Sequence, residues 1–256
     1  MQPRISAPRS PSTPEPVRCA LPTSFVFDRP DGNAISQLLY GEAFEVADCT
    51  EEWLQGACAH DGYPGFVLAG QFETSVGTPD YIVTARSALI FAAPSIKSPL
   101  IVSVPLGARL AADAHDSDFI SASSGFIHRR HVTRLGPASG DPVAWAERLV
   151  GTPYLWGGRS ACGIDCSGLV QLSLGMAGTA APRDSGPQRA LGTQIDPDRL
   201  ARGDLVFVPG HVGMMIDGSQ ILHANAHWMA VVIEPLADMI ARLPQGTPIE
   251  ARRLAA

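Results

Sequence analysis

Cys166 is the residue of this chain that most directly suggests chemistry. It lies within residues 163–169, Gly-Ile-Asp-Cys-Ser-Gly-Leu, and an apolar stretch able to form a helix begins directly after it. The unpaired N–H groups and positive partial charge at the start of a helix favour a thiolate over a thiol. With histidines further along the chain, this cysteine predicts nucleophilic catalysis. A lone cysteine is more often a buried and inert core residue, but the flanking residues argue against that interpretation.

Two downstream histidines have the positions expected of a general base and of a residue that orients it. His211 follows Pro209-Gly210 at the start of one predicted strand, and His223 closes the next, Gln220–His223. If these strands pair antiparallel, His211 can reach the thiol while His223 fixes the tautomer of His211. Either histidine alone would be interpreted as structural. The role of His227, four residues further on, stays open between catalysis and a position at the rim of the site or on the surface.

A zinc site is the alternative use of the same residues. Cys162 and Cys166 are separated by three residues, and the histidines at 211, 223 and 227 could complete a ligand shell. Structural zinc loops usually have a tighter paired spacing, and Cys162 lies in a Ser-Ala-Cys-Gly turn. We therefore predict that no metal is bound.

The elements that must position these residues are predicted from residue 141 onward. Asp141-Pro142 is a helix start, because Asp is a preferred N-cap and Pro a preferred first residue. A second helix is predicted to begin at Cys166-Ser167, and four short strands follow between residues 204 and 233. Helices followed by an antiparallel sheet predict an α+β domain.

Residues 21–136 differ in character from the rest. Short apolar runs alternate with turn signals such as Asp31-Gly32 and Asp61-Gly62, and helical periodicity is absent. Two weak repeats of roughly 55 residues predict two small β-barrels. The predicted organisation is a flexible tail (1–20), two β-domains (21–75 and 76–137) and the α+β domain (138–256).

Composition narrows the class of protein and of partner. The chain has 256 residues, 45% of them hydrophobic, and a formal net charge of −6. Because Lys and Arg do not cluster, neither nucleic acid nor a membrane is an expected partner. Five irregularly spaced cysteines indicate reduced thiols rather than a disulfide framework. Residues 1–24 lack the apolar core of a signal peptide, so a cytoplasmic location is expected.

Several segments, in order, resemble the NlpC-type family of papain-like cysteine peptidases. The matching segments are residues 151–158, 165–171, 182–185, 202–207, 211–213 and 222–224. The resemblance implies a papain-like α+β peptidase domain with Cys166 as nucleophile, His211 as base and His223 as the orienting residue. It also implies that Tyr154 and the backbone amide of Cys166 stabilise the oxyanion. It implies no cofactor.

The subgroup with bacterial SH3-like domains, which includes dipeptidyl-peptidase VI, is the most similar. Its members cleave free murein stem peptides after γ-D-glutamate and require an unblocked N-terminal L-Ala. The resemblance implies that five residues of this chain bind that small peptide: Asp165, Ser167, Ser185, Glu42 and Tyr63. Carboxylates at Asp165 and Glu42 would pair with the ammonium. The alternatives are a loop cap for Asp165 and a solvated turn for Glu42.

Two other functions stay open at this stage. The same Cys/His scaffold could serve an amidase or acyltransferase, or the SH3-like domains could bind wall polymer without catalysis. Neither the diamino acid of the substrate, meso-diaminopimelate or lysine, nor the oligomeric state follows from the sequence.

Overall fold

The computed structural model of the protein describes residues 16–74, 77–114, 118–136 and 140–254. Two all-β regions precede an α+β region, so the predicted fold class is confirmed. Most of the predicted tail, and the domain boundaries at 75/76 and 137/138, lie outside the described residues. Val17–Cys19, which fall within the predicted tail, instead form a strand of the first region.

The first β region is one antiparallel sheet of seven strands in the order β3-β2-β6-β5-β4-β1-β7. Its apolar side chains enclose a small core around Phe44, Val26 and Leu38, each of them fully buried. The strands are β1 (Val17–Cys19), β2 (Thr23–Phe27), β3 (Ala34–Leu39), β4 (Ala43–Cys49), β5 (Trp53–Cys58), β6 (Pro64–Leu68) and β7 (Phe72–Glu73).

The second β region has its own core, around Ile90, Val104 and Ile127. It consists of a five-stranded sheet, β10-β9-β14-β13-β12, and a three-stranded sheet, β11-β8-β15. The strands are β8 (Tyr81–Val83), β9 (Ser87–Phe91), β10 (Leu100–Pro105), β11 (Arg109–Leu110), β12 (Ala112–Ala114), β13 (Phe119–Ala122), β14 (Gly125–His128) and β15 (Val132–Arg134).

The two β regions close in the same way. In each, a strand that starts at or next to a Gly-Phe pair leads into one turn of 3₁₀ helix, Ala69–Gln71 or Arg129–His131, and then into the last strand. The distance from Gly65 to Phe72 equals that from Gly125 to Val132, which is seven residues. This correspondence agrees with the weak repeat in the sequence.

The α+β region places a long helix against a six-stranded antiparallel sheet, β18-β23-β19-β20-β21-β22. Its helices are α1 (Pro142–Glu147), α2 (Cys166–Met176), α3 (Ser185–Gln188) and α4 (Leu236–Ala241). A two-stranded hairpin precedes α2, formed by β16 (Arg159–Ser160) and β17 (Gly163–Ile164). The strands of the large sheet are β18 (Thr193–Ile195), β19 (Leu205–Val208), β20 (His211–Met215), β21 (Gln220–Asn225), β22 (Ala230–Pro235) and β23 (Glu250–Arg253).

Both predicted helix starts are found where the sequence placed them. Asp141 caps α1 by accepting a hydrogen bond of 2.9 Å from the N–H of Val143. Asp165 caps α2 by accepting one of 2.7 Å from the N–H of Gly168. A side chain at position 168 would collide with the backbone, because a Cβ there would lie 2.3 Å from the carbonyl oxygen of Gly158. Glycine therefore lets the first turn of α2 sit directly against that loop.

One apolar cluster connects the three regions. Leu39 of the first β region and Leu106 of the second are fully buried in the same apolar cluster as Leu169 and Leu172 of α2. Burying these side chains together fixes the two β regions against the helix that carries Cys166. Among the described residues, no helix is both long enough and apolar enough to span a membrane.

Candidate active site

Cys166 is the first residue of α2 and is 7% exposed. Burial raises the pKa of its thiol, as does the carboxylate of Asp165, whereas hydrogen bonds from the backbone N–H groups of Val212 and Ser167 and the charge of Arg183 lower it. The contact with Val212 brings the sulfur to the beginning of β20. The thiol of Cys166 therefore lies next to the strand whose first residue is His211.

The imidazoles of His211 and His223 are hydrogen-bonded, with 2.8 Å between Nε2 of His211 and Nδ1 of His223. The pairing of β20 with β21 brings them together, since Met214 is opposite Leu222. Gly213 lies next to β21, and a Cβ there would come within 2.5 Å of Cδ1 of Ile221 and 3.1 Å of Cβ of His223. Because Nε2 of His211 is engaged, Nδ1 is the nitrogen left to take a proton from a thiol.

Both members of the candidate nucleophile–base pair are neutral in this environment. Burial lowers the pKa of His211 to about 4, helped by His223 and opposed by Glu234. The pKa of the Cys166 thiol is raised. A neutral imidazole beside a neutral thiol is the state in which the base accepts the proton as the sulfur attacks.

The phenol of Tyr154 lies within the electrostatic reach of Cys166 and Asp165. The pKa of Tyr154 is raised to about 12. Burial is the main cause, Cys166 and Asp165 add to it, and Arg183 opposes it. At neutral pH the hydroxyl therefore keeps its proton and can donate a hydrogen bond to an oxyanion. The position agrees with the role predicted from the sequence, which stays a prediction.

Asp165 is held by Arg183 and by the backbone. Its Oδ1 accepts hydrogen bonds from Gly168 N and from Nη1 of Arg183, at 2.7 and 2.9 Å. Its Oδ2 accepts from Gly157 N and from Nη2 of Arg183, at 2.9 and 2.6 Å. Ser167 belongs to the same network, because its Oγ lies 3.0 Å from Nη1 of Arg183. Asp165 therefore caps α2 and has its charge paired by Arg183, and its role in binding the substrate ammonium stays a prediction.

Glu42 is buried and paired rather than open to solvent, and its pairing with the substrate ammonium stays a prediction. Its side chain is 4% exposed and forms an ion pair with Arg159, with 2.9 Å between Oε2 and Nη1. It also accepts from the backbone N–H of Leu39. Arg159 in turn contacts Gln37 of the first β region and Gln171 of α2. Glu42 therefore joins the first β region to the α+β region.

Tyr63 of the first β region contacts Asp184, the residue before α3. The hydroxyl of Tyr63 donates to Oδ2 of Asp184 over 3.0 Å. Burial raises the pKa of Tyr63 to about 12, with Asp184 and Asp165 adding to the effect. Asp184 is exposed, and no described cation forms an ion pair with it. Ser185, predicted to bind substrate, is the next residue and the first of α3.

Three residues at the site were not singled out from the sequence: Arg183, Asp184 and Glu234. The first two belong to the segment 182–185 that carried the resemblance, so a signal for them was present. Glu234 lies on β22, where its Oε1 is 2.9 Å from Nε2 of His223. No local motif marks it.

The residues considered for zinc do not form a ligand shell. Within the described ranges, no group of three or more His, Cys, Asp or Glu side chains could hold a metal ion. All five cysteines are free, with Cys162 exposed and Cys166 buried. The ring of His227 packs edge-to-face against the exposed ring of Trp228, and the role of His227 stays open.

Comparisons with known proteins match both parts of this architecture. Residues 151–242 match the NlpC/P60 family, and residues 26–72 match the bacterial dipeptidyl-peptidase SH3 domain. The chain is 27% identical over 234 residues to the gamma-D-glutamyl-L-lysine dipeptidyl-peptidase of Bacillus cereus, covering 78% of this chain and 70% of the relative. It is 26% identical over 230 residues to dipeptidyl-peptidase 6 of Lysinibacillus sphaericus, covering 78% and 84%.

The fold is also that of a solved structure. A crystal structure of an NlpC/P60 family protein from Bacillus cereus superposes with a TM-score of 0.80 at 22% identity, covering 94% of this chain and 100% of that chain. The similarity extends over the β regions as well as the α+β region.

Proposed function

Because residues 151–242 belong to the NlpC/P60 family and follow a bacterial dipeptidyl-peptidase SH3 domain, we propose that the protein is a cysteine peptidase of murein peptides. Its proposed substrate is a free stem peptide with an unblocked N-terminal L-Ala, cut between γ-D-glutamate and the diamino acid. The observation that carries the proposal is the thiol of Cys166 beside the start of β20, with His211 hydrogen-bonded to His223. Relatives aligned across both domains are named for this bond.

In the first half-reaction, the Cys166 sulfur attacks the γ-carbonyl carbon of D-glutamate. Nδ1 of His211 takes the thiol proton, and the tetrahedral oxyanion is stabilised by the hydroxyl of Tyr154 and the backbone N–H of Cys166. Collapse of this intermediate breaks the C–N bond. The imidazolium of His211 gives its proton to the departing α-amine of the diamino acid, and a thioester remains on Cys166.

In the second half-reaction, water replaces the amine. His211 removes a proton from the water as it attacks the thioester carbon, and the thiol leaves with that proton. The products are L-Ala-D-Glu and the free diamino acid or the peptide that begins with it. An acyltransferase would need an amine in place of water, so product analysis separates the two reactions.

We propose that the exposed carboxylate of Asp184 receives the substrate ammonium, with Tyr63 holding it in place. Asp165 and Glu42 are neutralised by Arg183 and Arg159, whereas Asp184 has the Tyr63 hydroxyl as a neutral partner. A charge-assisted hydrogen bond to an ammonium is stronger than one to an amide, so a stem peptide still attached to the wall would be disfavoured. This preference supports recycling of released peptides in the cytoplasm.

The test is cleavage of L-Ala-γ-D-Glu-meso-diaminopimelate and of the L-Lys tripeptide, each with a free or an acetylated N-terminus. Products are identified by mass spectrometry. We expect cleavage of the free forms at the γ-D-glutamyl bond, a large loss of kcat/KM on acetylation, and no turnover by Cys166→Ala. Cleavage by Cys166→Ala at the wild-type rate would reject the mechanism.

Asp184→Asn separates recognition from chemistry. This variant should raise KM for the free tripeptide by about tenfold or more, the loss expected for a charged hydrogen bond of ~1.5–3 kcal/mol, and leave the acetylated peptide unaffected. Asp198→Asn, a change at an exposed position on the 3₁₀ turn Pro197–Arg199, is the matched control. Equal effects of Asp184→Asn on both peptides would remove Asp184 from the ammonium site.

A further inference from the structure

Behind His223 the hydrogen-bonded chain of the site continues to a carboxylate. Oε1 of Glu234 lies 2.9 Å from Nε2 of His223, and both side chains are buried, at 8% and 0% exposed. The register of β21 and β22 creates this contact, because Ile221 is opposite Glu234 and His223 is opposite Val232. A series of hydrogen bonds therefore runs from His211 through His223 to Glu234, across three adjacent strands.

We propose that Glu234 is a positioning residue: it fixes His223 as the Nε2–H tautomer and so leaves Nδ1 of His211 free to take the thiol proton. The inference rests on the proposed peptidase function for its consequence in catalysis. Its structural part, the tautomers of the two histidines, does not depend on the substrate.

The tautomers follow from donor and acceptor counts. An ionised carboxylate can only accept, so Nε2 of His223 must carry the hydrogen of the bond to Glu234. In a neutral imidazole the other nitrogen, Nδ1, then has the lone pair. Nδ1 of His223 must accept from Nε2–H of His211, which leaves the lone pair of His211 on Nδ1. Each hydrogen bond of the chain thus dictates the next.

Glu234 is itself held as an anion from two sides. Arg242, the C-cap of α4, pairs with Oε1, and Nε1 of Trp228 donates to Oε2 over 3.3 Å. Burial raises the pKa of Glu234, but the hydrogen bonds from Arg242, Trp228 and His223 lower it below its usual value. A carboxylate that stays charged is a fixed acceptor.

The charged and titratable groups that act on the two imidazoles come from different elements. Besides burial, which lowers the pKa of both rings, Glu234 on β22 raises both, Arg242 at the end of α4 lowers that of His223, and His223 lowers that of His211. Cys166 approaches from α2. Removing the negative charge of Glu234 therefore disfavours the imidazolium of His211, which forms as the thiol gives up its proton.

The side chain of Asn225 also contacts His223, and this contact predicts what happens in a variant that lacks the carboxylate of Glu234. Nδ2 of Asn225 lies 3.4 Å from Nε2 of His223, a longer contact than that of Glu234. Without Glu234, the Asn225 amide can donate to Nε2, and His223 would shift its hydrogen to Nδ1. Two donors would then face each other between His223 and His211, and their hydrogen bond would be lost.

The experiment compares Glu234→Gln, Glu234→Leu and Glu147→Gln with the wild-type protein. The Gln side chain keeps an acceptor but not the charge, whereas Leu keeps neither. Glu147 pairs with Arg202 at the surface of the same region and is the matched control. The tautomers are read from the ¹⁵N shifts of the histidine rings, and the thiol from its rate of alkylation by iodoacetamide at pH 7.

We expect the Nε2–H tautomer at His223 in wild type, Glu234→Gln and Glu147→Gln, and a shift to Nδ1–H in Glu234→Leu. Alkylation should slow by about tenfold in Glu234→Gln, the ratio that one pKa unit represents, and further in Glu234→Leu. Tripeptide cleavage should fall in the same order, with Glu147→Gln unchanged.

The proposal is overturned if iodoacetamide alkylates the Cys166 thiol of Glu234→Gln and of wild type at the same rate at pH 7. It is also overturned if a folded Glu234→Leu keeps the wild-type tautomers. If Glu234→Leu fails to fold, the alkylation rate of the Cys166 thiol in Glu234→Gln decides the proposal by itself. If the wild-type protein cleaves no peptide, the proposed function fails, while the ring shifts and alkylation still test the role of Glu234.

Discussion

Arg183 clamps Asp165 with both ends of its guanidinium, at 2.9 Å from Nη1 to Oδ1 and 2.6 Å from Nη2 to Oδ2. The third nitrogen, Nε, donates to Oγ of Ser36 in the first β region. One buried cation therefore ties the residue before the nucleophile to a neighbouring region of the chain. The start of α2, and with it the thiol, is therefore held by a contact that reaches outside the α+β region.

Replacing Arg183 with Met should lower the free energy of unfolding by about 3–5 kcal/mol and abolish cleavage. The reason is that Asp165 would be left buried and uncompensated. Urea denaturation followed by fluorescence measures the loss. Arg202→Met is the matched control, since Arg202 pairs with Asp141 and Glu147 at the surface and is 41% exposed. That control should cost no more than about 1 kcal/mol. Equal losses in the two variants would contradict the buried clamp.

Tyr154→Phe should lower kcat by about 10²-fold, the loss typical of one oxyanion donor, with little change in KM. The phenol keeps its proton at neutral pH because burial raises the pKa of Tyr154 to about 12. Tyr63→Phe is the companion variant and should raise KM for the free tripeptide instead, because Tyr63 supports Asp184. Initial rates over a range of substrate concentrations separate the two effects. A change confined to KM in Tyr154→Phe would exclude the oxyanion role.

The acidic limb of the activity profile should lie well below the ordinary range of histidine. A general base must be neutral, and burial lowers the pKa of His211 to about 4. As pH falls from 7 to 5, kcat/KM should therefore stay close to its maximum, and it should drop only as the pH approaches about 4. An unperturbed imidazole would give the limb near ~6.5. Initial rates between pH 3.5 and 8, with circular dichroism to confirm the fold, distinguish these cases.

The Glu42–Arg159 pair should make the protein sensitive to acid. Burial raises the pKa of Glu42, but Arg159, His60 and the N–H of Leu39 outweigh it and bring it to about 2. Since the folded state binds its proton at lower pH than the unfolded state, this contribution is present above the unfolded pKa. It is lost as pH falls from about 4.5 towards about 2, by roughly 2–4 kcal/mol in total.

The check is the free energy of unfolding as a function of pH in Glu42→Gln. The variant should be less stable than wild type at neutral pH and should show a flatter slope below pH 4.5. Glu52→Gln, at an exposed position of the same β region, should keep the wild-type slope. An unchanged slope in Glu42→Gln would mean that the pair does not contribute in this way.

Local sequence determined the chemistry and the elements that carry it. The apolar stretch after Cys166-Ser167 predicts a helix that starts there, and α2 begins at Cys166 with Asp165 as its N-cap. The short apolar runs after His211 and before His223 predict two strands, and the structure shows that these strands pair antiparallel. These signals act over a few residues, through hydrogen bonds and periodicities that the chain makes with itself.

Tertiary structure alone decided what surrounds the charges. Glu42 was expected to face the substrate, yet it is buried against Arg159, which is 117 residues away. Glu234 reaches His223 only through the register of β21 with β22, and Arg183 meets Asp165 and Ser36 only where two regions pack together. A carboxylate in a turn has the same local sequence whether solvent or a distant arginine neutralises it. Its role is therefore set by long-range packing, which spacing along the chain does not encode.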